Sequence, residues 1–338
     1  MKKIKTVDAV GRVLLHDITK IVPGEFKGRA FKKGHVIKEE DIDVLLSLGK
    51  DNIYVWEETE GLVHENDAAI ILKDISCGDG LEFGEIKEGK IDFFASYDGV
   101  LKIDKDALLE LNMIDDIMMA TIHNNTPVKK GEKLGGTRVI PLMVEEEKLN
   151  EAKKLIEKPF ISVEKFKKKK VGIVTTGNEV FYGRIKDAFG PVIKSKFEYY
   201  GSEILGQVIL PDDKERITAE ILKAVNEDKA DMIICTGGMS VDPDDVTPTA
   251  IKDCGGEVVT YGSPVLPGAM FLLAYLGDTP IMGLPGCVMY SKRTVFDLVL
   301  PRILIDEKLT KRDIALYGQG GLCLDCKVCT FPHCSFGK

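Results

Sequence analysis

A chain of 338 residues with 44% hydrophobic and 30% charged residues is long for a single core and has the composition of a globular protein, which excludes a disordered or fibrous chain. The formal net charge of −8 and a pI near 5.4 exclude a broad nucleic-acid surface, which needs basic residues against phosphates. No apolar run is long enough for a bilayer and the N-terminus MKKIKTVDAVGR lacks a secretory apolar core, so no nucleic acid, no membrane and a cytoplasmic location are expected.

In chain order, residues 1–58 read as an α+β segment. KKGHVIKEEDIDVLLSLG predicts a turn, a short strand and a helix whose Ile42, Leu45, Leu46 and Leu48 recur at helical spacing, with Gly49 to end it and IYVWE as the next strand. Residues 59–165 read as a β-rich module and a helical linker. Short runs such as KIDFFAS, GVLKID, IMMATIH and TRVIPLMV are separated by the turn pairs Asp98-Gly99, Lys130-Gly131 and Gly135-Gly136, and EEEKLNEAKKLIEK follows as a helix. His16, His35, His64 and His123 have no metal-ligand spacing and are expected in surface or structural roles. The basic run Lys167–Lys170 is expected as a solvated linker end.

Residues 166–312 have the texture of a parallel α/β sheet. The apolar, β-branched run VGIVTTGNEV and the later DMIICTGGMSVDPDDVTP each stop abruptly at Thr and Gly before a helical segment. Glycine tolerates positive φ and close approach by a ligand, and a helix starting just beyond offers N–H groups to an anion. In open α/β sheets ligands lie at the carboxyl ends of the strands, so two such turns on neighbouring strands predict one phosphate-binding crevice. Between and after them VIKSKFEYYGSEI, KERITAEILKAVNE, VTPTAIKDCGG and VMYSKRTVFDLVLPRIL read as helices, and GQVIL, EVVTYG and TPIMGLPG as strands or strand ends. Residues 313–338 form a tail in which Cys323, Cys326, Cys329 and Cys334 have the spacing C-x2-C-x2-C-x4-C. That spacing suits an iron–sulfur cluster, with Zn2+ on four thiolates as the rival and a free or redox-active tail as the third reading. Cys77, Cys235, Cys254 and Cys287 stand apart, as in a reduced compartment, and Cys235 is expected to be a small hydrophobe within a strand.

TTGNEV, the acidic LPDDKERI after a strand, TGGMSVDPDDVTP, and GLPG before a helix occur in an order that resembles the molybdopterin-binding domain shared by molybdopterin adenylyltransferase, molybdopterin molybdotransferase and gephyrin. The resemblance implies a three-layer α/β/α domain with a mainly parallel sheet, preceded by the smaller β-rich α+β region. It further implies binding of molybdopterin or its adenylylated form, with molybdate, Mg2+ and, in the adenylyl-transfer branch, ATP. By this resemblance the pocket comprises Thr175, Thr176, Gly177, Asn178, Glu179, Gly237, Gly238, Met239, Ser240, Pro285 and Gly286. The catalytic carboxylates it implies are Asp245, Asp212, Asp187 and Asp242.

The residue types agree. Small donors suit phosphate and pterin edges, and carboxylates beside a phosphate repel it unless a hard cation intervenes, which implies Mg2+. Asp242 and Asp245 have a structural alternative as caps of the helix near Thr247.

The chain departs from the family pattern in three places. Asp244 stands where the adenylyltransferases carry Arg, and Cys287-Val288 stands in place of Asn or Gln followed by Pro. Pro23-Gly24-Glu25-Phe26 occupies the region of the molybdotransferase Asp-Gly-Tyr-Ala motif. The resemblance implies an assembly enzyme, most simply one inserting molybdate, in a homo-oligomer. A molybdopterin carrier or sensor serving a molybdoenzyme client, an adenylyltransferase, and a nucleotide enzyme like the competence-damage-inducible family remain as alternatives.

Overall fold

The computed structural model describes residues 2–22, 26–55, 60–240 and 242–338. Contacts divide the chain into two compact units. Unit 1 comprises Met1–Ser96, Lys102–Ile122 and Lys130–Val163, and unit 2 comprises Tyr97–Leu101, His123–Lys129 and Glu164–Lys338.

Within unit 1 the strand Lys2–Lys5 pairs antiparallel with Asn52–Val55, and Ile18–Val22 pairs with Phe26–Phe31. The predicted helix is Glu39–Ser47, and Gly49 just beyond it has φ +72°. Leu45 is buried with Leu14, Ile37 and Ile53 in one cluster, whereas Leu46 faces outward. The Trp56-Glu57 end of the predicted IYVWE strand and Pro23-Gly24-Glu25 lie outside the described residues.

Further along unit 1, an antiparallel sheet has the order Leu81–Phe83, Lys90–Ala95, Lys133–Val139, Ile117–Thr121. Two helices that the β-like texture hides, Glu65–Ser76 and Lys105–Met113, accompany the predicted helix Glu146–Leu155. His64 caps the first of them, its Nδ1 accepting from Asn66 N at 3.1 Å, and His35 lies 2.6 Å from Asp41.

Unit 2 is built on six strands: β1 (Lys170–Thr176), β2 (Glu203–Leu210), β3 (Met232–Thr236), β4 (Glu257–Tyr261), β5 (Leu272–Leu276) and β6 (Thr279–Leu284). Their order across the sheet is β2-β1-β3-β6-β5-β4. The first four run parallel, and β5 and β4 are antiparallel to their neighbours. The helices are α1 (Phe189–Tyr199), α2 (Lys214–Asn226), α3 (Thr247–Asp253), α4 (Val295–Ile303) and α5 (Lys311–Leu316).

Alternation along β1 and β3 sends side chains to two buried faces. Val174, Ile233 and Cys235 pack with Ile217 and Ile221 of α2 and Ala250 and Ile251 of α3. Val171, Ile173, Met232 and Ile234 pack on the other side with Phe197 of α1 and Phe296 and Val299 of α4. The domain is therefore a three-layer α/β/α structure on a mainly parallel sheet, as the sequence resemblance implies. The basic run is largely exposed, with Lys167 Nζ 2.6 Å from Asp306 and Lys169 pairing with the same carboxylate.

Every residue of α4 is buried, so its polar groups need internal partners. Asp297 closes a capping box with Thr294 and meets Lys196 of α1 at 2.6 Å and Arg293 at 2.9 Å. At the other end the Arg302 guanidinium forks onto Glu307 at 2.7 and 2.9 Å and reaches Asp313 at 2.7 Å. Removing one partner of such a buried cluster leaves a charge uncompensated, which costs about 3–5 kcal/mol.

The parallel strands end level. Thr175 is in register with Thr236, Thr176 with Leu210, and Thr236 with Leu284. A Cβ on Gly237, at φ +84°, would lie 1.9 Å from the Thr176 carbonyl oxygen.

Two outcomes follow from this packing. Arg302→Met is expected to lower the urea-unfolding free energy of the chain by about 3–5 kcal/mol. Gly237→Ala is expected to lower it by about 1–3 kcal/mol through backbone strain and the clash with Thr176. A midpoint unchanged from that of the parent would refute either assignment. In acid, burial alone would push the Asp313 carboxyl up, but hydrogen bonds from Thr310 and Arg302 outweigh it and hold it at about 2. Its contribution is therefore present above the ordinary carboxylate range and is lost as pH falls towards 2. Asp313→Asn is expected to flatten that limb of a thermal-midpoint against pH curve.

Candidate functional site

The carboxyl edge of β1 and β3 brings together most of the residues singled out in the sequence. Thr175, Thr176 and Thr236 are buried there, which obliges their hydroxyls to find partners. Thr236 Oγ1 donates to Thr175 Oγ1 at 3.1 Å, Gln207 Nε2 donates to Thr175 Oγ1 at 3.0 Å, and the Thr176 and Thr247 hydroxyls lie 3.1 Å apart. The hydroxyls of Thr175 and Thr176 thus tie the two turns together; beyond them Gly177 is buried and Gly237 and Gly238 are half-buried.

Gly177, at φ +139°, opens a helical turn over Asn178–Phe181. Gly237 and Gly238 follow β3 with φ +84° and +53°, and a Cβ on Gly238 would meet Thr247 Oγ1 at 2.8 Å. Both turns therefore need glycine at these positions.

The acidic residues fall into different environments. Asp187 accepts from Phe189 N at 2.9 Å, Gly190 N at 3.0 Å and Gln207 Nε2 at 2.6 Å, so it caps α1. Asp213 caps α2 by accepting from Arg216 N at 3.0 Å. Asp212 sits across from the first turn, accepting from Asn178 N at 2.9 Å, while its own N–H reaches Asn178 Oδ1 at 3.4 Å. Burial pushes the Asp212 carboxyl up, the Asn178 N–H opposes this, and the charges of Glu179, Asp244 and Asp245 raise it further. Asp245 and Asp242 form a tight turn before α3: Asp242 N donates to Asp245 Oδ2 at 3.0 Å, and Asp245 N to Asp242 O at 2.9 Å. Val241 lies outside the described residues.

Four of the remaining candidates divide between core and rim. Met239 is buried in the α2-side cluster, with its thioether against Gly283, and Ser240 is exposed. Pro285 is buried where β6 ends, and Gly286 begins a 3-10 turn over Gly286–Met289. Burial raises the Cys287 thiol, which is the behaviour of a packed cysteine.

The structure adds two residues that the sequence reading did not single out. Tyr261, at the end of β4, donates its hydroxyl towards Met239 O at 3.1 Å and Ser240 O at 3.0 Å, so it braces the second turn. Gln207 bridges Thr175 and Asp187. Neither belongs to a local motif, because each acts from a strand distant in sequence.

Among the described residues no three His, Cys, Asp or Glu side chains are gathered closely enough to hold a metal ion. For Mg2+ this arrangement is still compatible, because Mg2+ takes one or two carboxylates plus phosphate and water oxygens rather than a full protein cage. Asp212, with its acidic neighbours, supplies hard oxygen donors of that kind. The four tail cysteines line one small cavity with Lys292 and Arg293. Burial opposes ionisation of Cys329, but the N–H of Phe331 and the Arg293 guanidinium outweigh it and hold that thiol below its usual range. Among the described residues no helix is long and apolar enough to cross a membrane.

Comparison with known proteins finds likenesses to part of the chain. Residues 172–304 match the family described as "Probable molybdopterin binding domain", and residues 3–57 match a domain of unknown function. A Methanocaldococcus jannaschii protein named for molybdopterin biosynthesis is 24% identical over 91% of this chain and 75% of its own length. The molybdopterin molybdenumtransferase of Haemophilus influenzae is 28% identical over 41% of this chain, and the match spans 35% of that protein. Of solved structures, the molybdopterin biosynthesis enzyme MoaB of Thermus thermophilus is matched over 41% of this chain and 98% of that one, at 21% identity and a TM-score of 0.34. The motifs at the strand ends fall within or beside the stretch that matches the molybdopterin-binding domain family.

Proposed function

We propose that the chain binds molybdopterin at the carboxyl edge of β1 and β3 and acts in molybdenum cofactor assembly by inserting molybdate into the adenylylated pterin. The observation that carries this reading is the pair of glycine turns on adjacent, level strand ends, tied by the threonine hydroxyls, with Asp212 and Asp245 on their rim. Backbone N–H groups at Gly237 and Gly238 are placed to meet phosphate oxygens, whereas the Gly177 N–H donates to Leu210 O at 3.2 Å. Thr175 and Thr176 hold those turns through their side chains, and Asn178 fixes the orientation of Asp212.

Mg2+ held by Asp212 and Asp245 would neutralise the pyrophosphate and polarise the bond to AMP. Asp187, engaged with the first turn of α1 and with Gln207, acts here as a positioning residue. Asp242 sets the turn that presents Asp245. A carrier role without turnover is the alternative reading, and it draws on Cys287 at the position where the family pattern has an amide. Self-association and a molybdoenzyme client belong to either reading.

Anaerobic incubation with adenylylated molybdopterin, Mg2+ and molybdate tests the reading. Pterin fluorescence is expected to report binding, and AMP release is expected to require molybdate. Asp245→Asn, which keeps an oxygen to accept from Asp242 N, is expected to slow AMP release at least about tenfold while leaving the fold intact. Binding with no AMP release would replace insertion by the carrier role, and no binding would remove both.

A second outcome concerns pH. Because the Asp212 carboxyl is raised in the folded state, the folded chain loses stability relative to the unfolded one as pH rises from the ordinary carboxylate range through the raised value. Asp212→Asn is therefore expected to raise the thermal midpoint near neutral pH. Mg2+ is expected to raise the midpoint of the parent but not of this variant, and an equal response in both would remove Asp212 from the cation site.

A further inference from the structure

After Leu316 the chain forms neither helix nor strand, yet its tail is built in a defined way. Gly337 N donates to Gly320 O at 2.9 Å, so the loop closes on itself. Gly320, at φ +80°, leaves room for this closure: a Cβ there would lie 2.3 Å from the Lys338 carbonyl oxygen. The start of the loop is pinned to the domain by Leu266 N to Gly321 O and Cys323 N to Leu266 O, both 2.8 Å. Phe336 is buried in the core, with Phe331, Cys323 and Cys334 packed against it.

Polar contacts add to this: Lys338 Nζ reaches Thr126 Oγ1 and His333 N donates to Thr330 O at 2.8 Å. Leu322, Leu324 and Val328 are 59%, 71% and 78% exposed, so apolar burial accounts for only part of its ordering. Asp325, between the first two cysteines, has φ +46°, a left-handed conformation that costs a non-glycine residue and needs a compensating contact.

All four cysteines face one cavity. Cys323 and Cys334 are half-buried and packed against the core, and Cys326 and Cys329 are exposed. Two cations flank them. Lys292 Nζ donates to the carbonyls of Cys326 at 2.9 Å and Lys327 at 3.3 Å, and Arg293 lies with its guanidinium 4.9 Å from the Phe331 ring centroid. The Arg293 Nε is buried without a partner. The four thiols line one cavity without being drawn together to ligation distance, and four soft ligands beside positive charge suit a thiophilic metal and not a hard cation.

We propose that Cys323, Cys326, Cys329 and Cys334 bind one metal centre through four thiolates, and that this centre closes the tail into a rigid lobe on unit 2. Two thiophilic centres share this chemistry, a single Zn2+ and a cubane iron–sulfur cluster. Three cysteines each two residues apart match the wrapping of one face of a cubane, with Cys334 completing the set. Ligation forms four metal–sulfur bonds and releases to solvent the proton of each thiol that was neutral, with no change of oxidation state at sulfur. Lys292 and Arg293 offset the net negative charge of the loaded centre. This inference does not depend on the pterin reading.

The full chain, purified without oxygen and without added metal, tests it. Elemental analysis is expected to find about one zinc, or about four iron with four inorganic sulfides and a broad visible absorbance, per chain. Cys326→Ser and Cys329→Ser, both at exposed positions, are expected to lose that content while keeping the far-ultraviolet circular dichroism of the parent. Cys287→Ser is expected to keep it.

As a check independent of folding, native alkylation of the parent should spare the four tail thiols until a mercurial or chelator releases the metal. A parent chain free of both metals after reconstitution with Zn2+ or with iron and sulfide, or one whose tail thiols are paired as disulfides, would overturn the proposal. Content unchanged in both serine variants would overturn it as well.

Discussion

The hydrogen-bonded threonines at the carboxyl edge of the sheet are the constraint on which the candidate site depends. Thr175 is held by Thr236 and the half-buried Gln207, and Thr176 by Thr247, with all four threonines out of solvent. Hydroxyl partners in a buried row are costly to separate, since each would be left unsatisfied. The row therefore fixes the height of two backbone turns relative to each other, and Gly237 and Gly238 convert that fixed height into a surface of accessible backbone at the second turn. Ordinary side chains at these positions would fill the space and strain the backbone.

The same edge sorts its acidic residues by what they touch. Asp187 and Asp213 are occupied by the first turns of α1 and α2, which are electrostatically favourable places for a carboxylate. Asp212 and Asp245 each accept one backbone N–H in a much more acidic neighbourhood. This division separates carboxylates that hold the scaffold from those with oxygen valence left for a ligand. Behind the site, α4 supplies a rigid wall, because both its ends are tied by buried ion pairs and its body has no solvent-facing stripe.

Much of unit 2 is legible in the sequence because parallel strands buried on both faces are near-continuous apolar runs, as in Val171–Thr176 and Met232–Thr236. The glycines that end them are equally visible. The strand Leu272–Leu276 is not, since FLLAYLGD has no alternation to separate it from a buried helix, and its antiparallel pairing with β6 follows from a tight turn at Gly277. In the same way VMYSKRTVFDLVLPRIL reads as one helix, whereas Thr294 caps a shorter one and residues 290–293 form its approach. The helices Glu65–Ser76 and Lys105–Met113 are masked by their β-rich surroundings. The bracing roles of Tyr261 and Gln207, and the capping of α1 by Asp187 together with its Gln207 contact, arise from tertiary pairing and leave no local signal.

The sheet order β2-β1-β3-β6 has a kinetic consequence. Each wall of the crevice is contributed by a strand whose neighbour is remote along the chain, as in the pairings of Lys170 with Glu203, Val171 with Met232 and Ile233 with Ile281. Such parallel pairings close long loops before any contact rewards them, so they form late and together. The turns at Gly177 and Gly237 can then acquire their relative height only once the sheet has assembled. The crevice has no partly formed version: it arises with the cooperative folding of unit 2 and disappears with it.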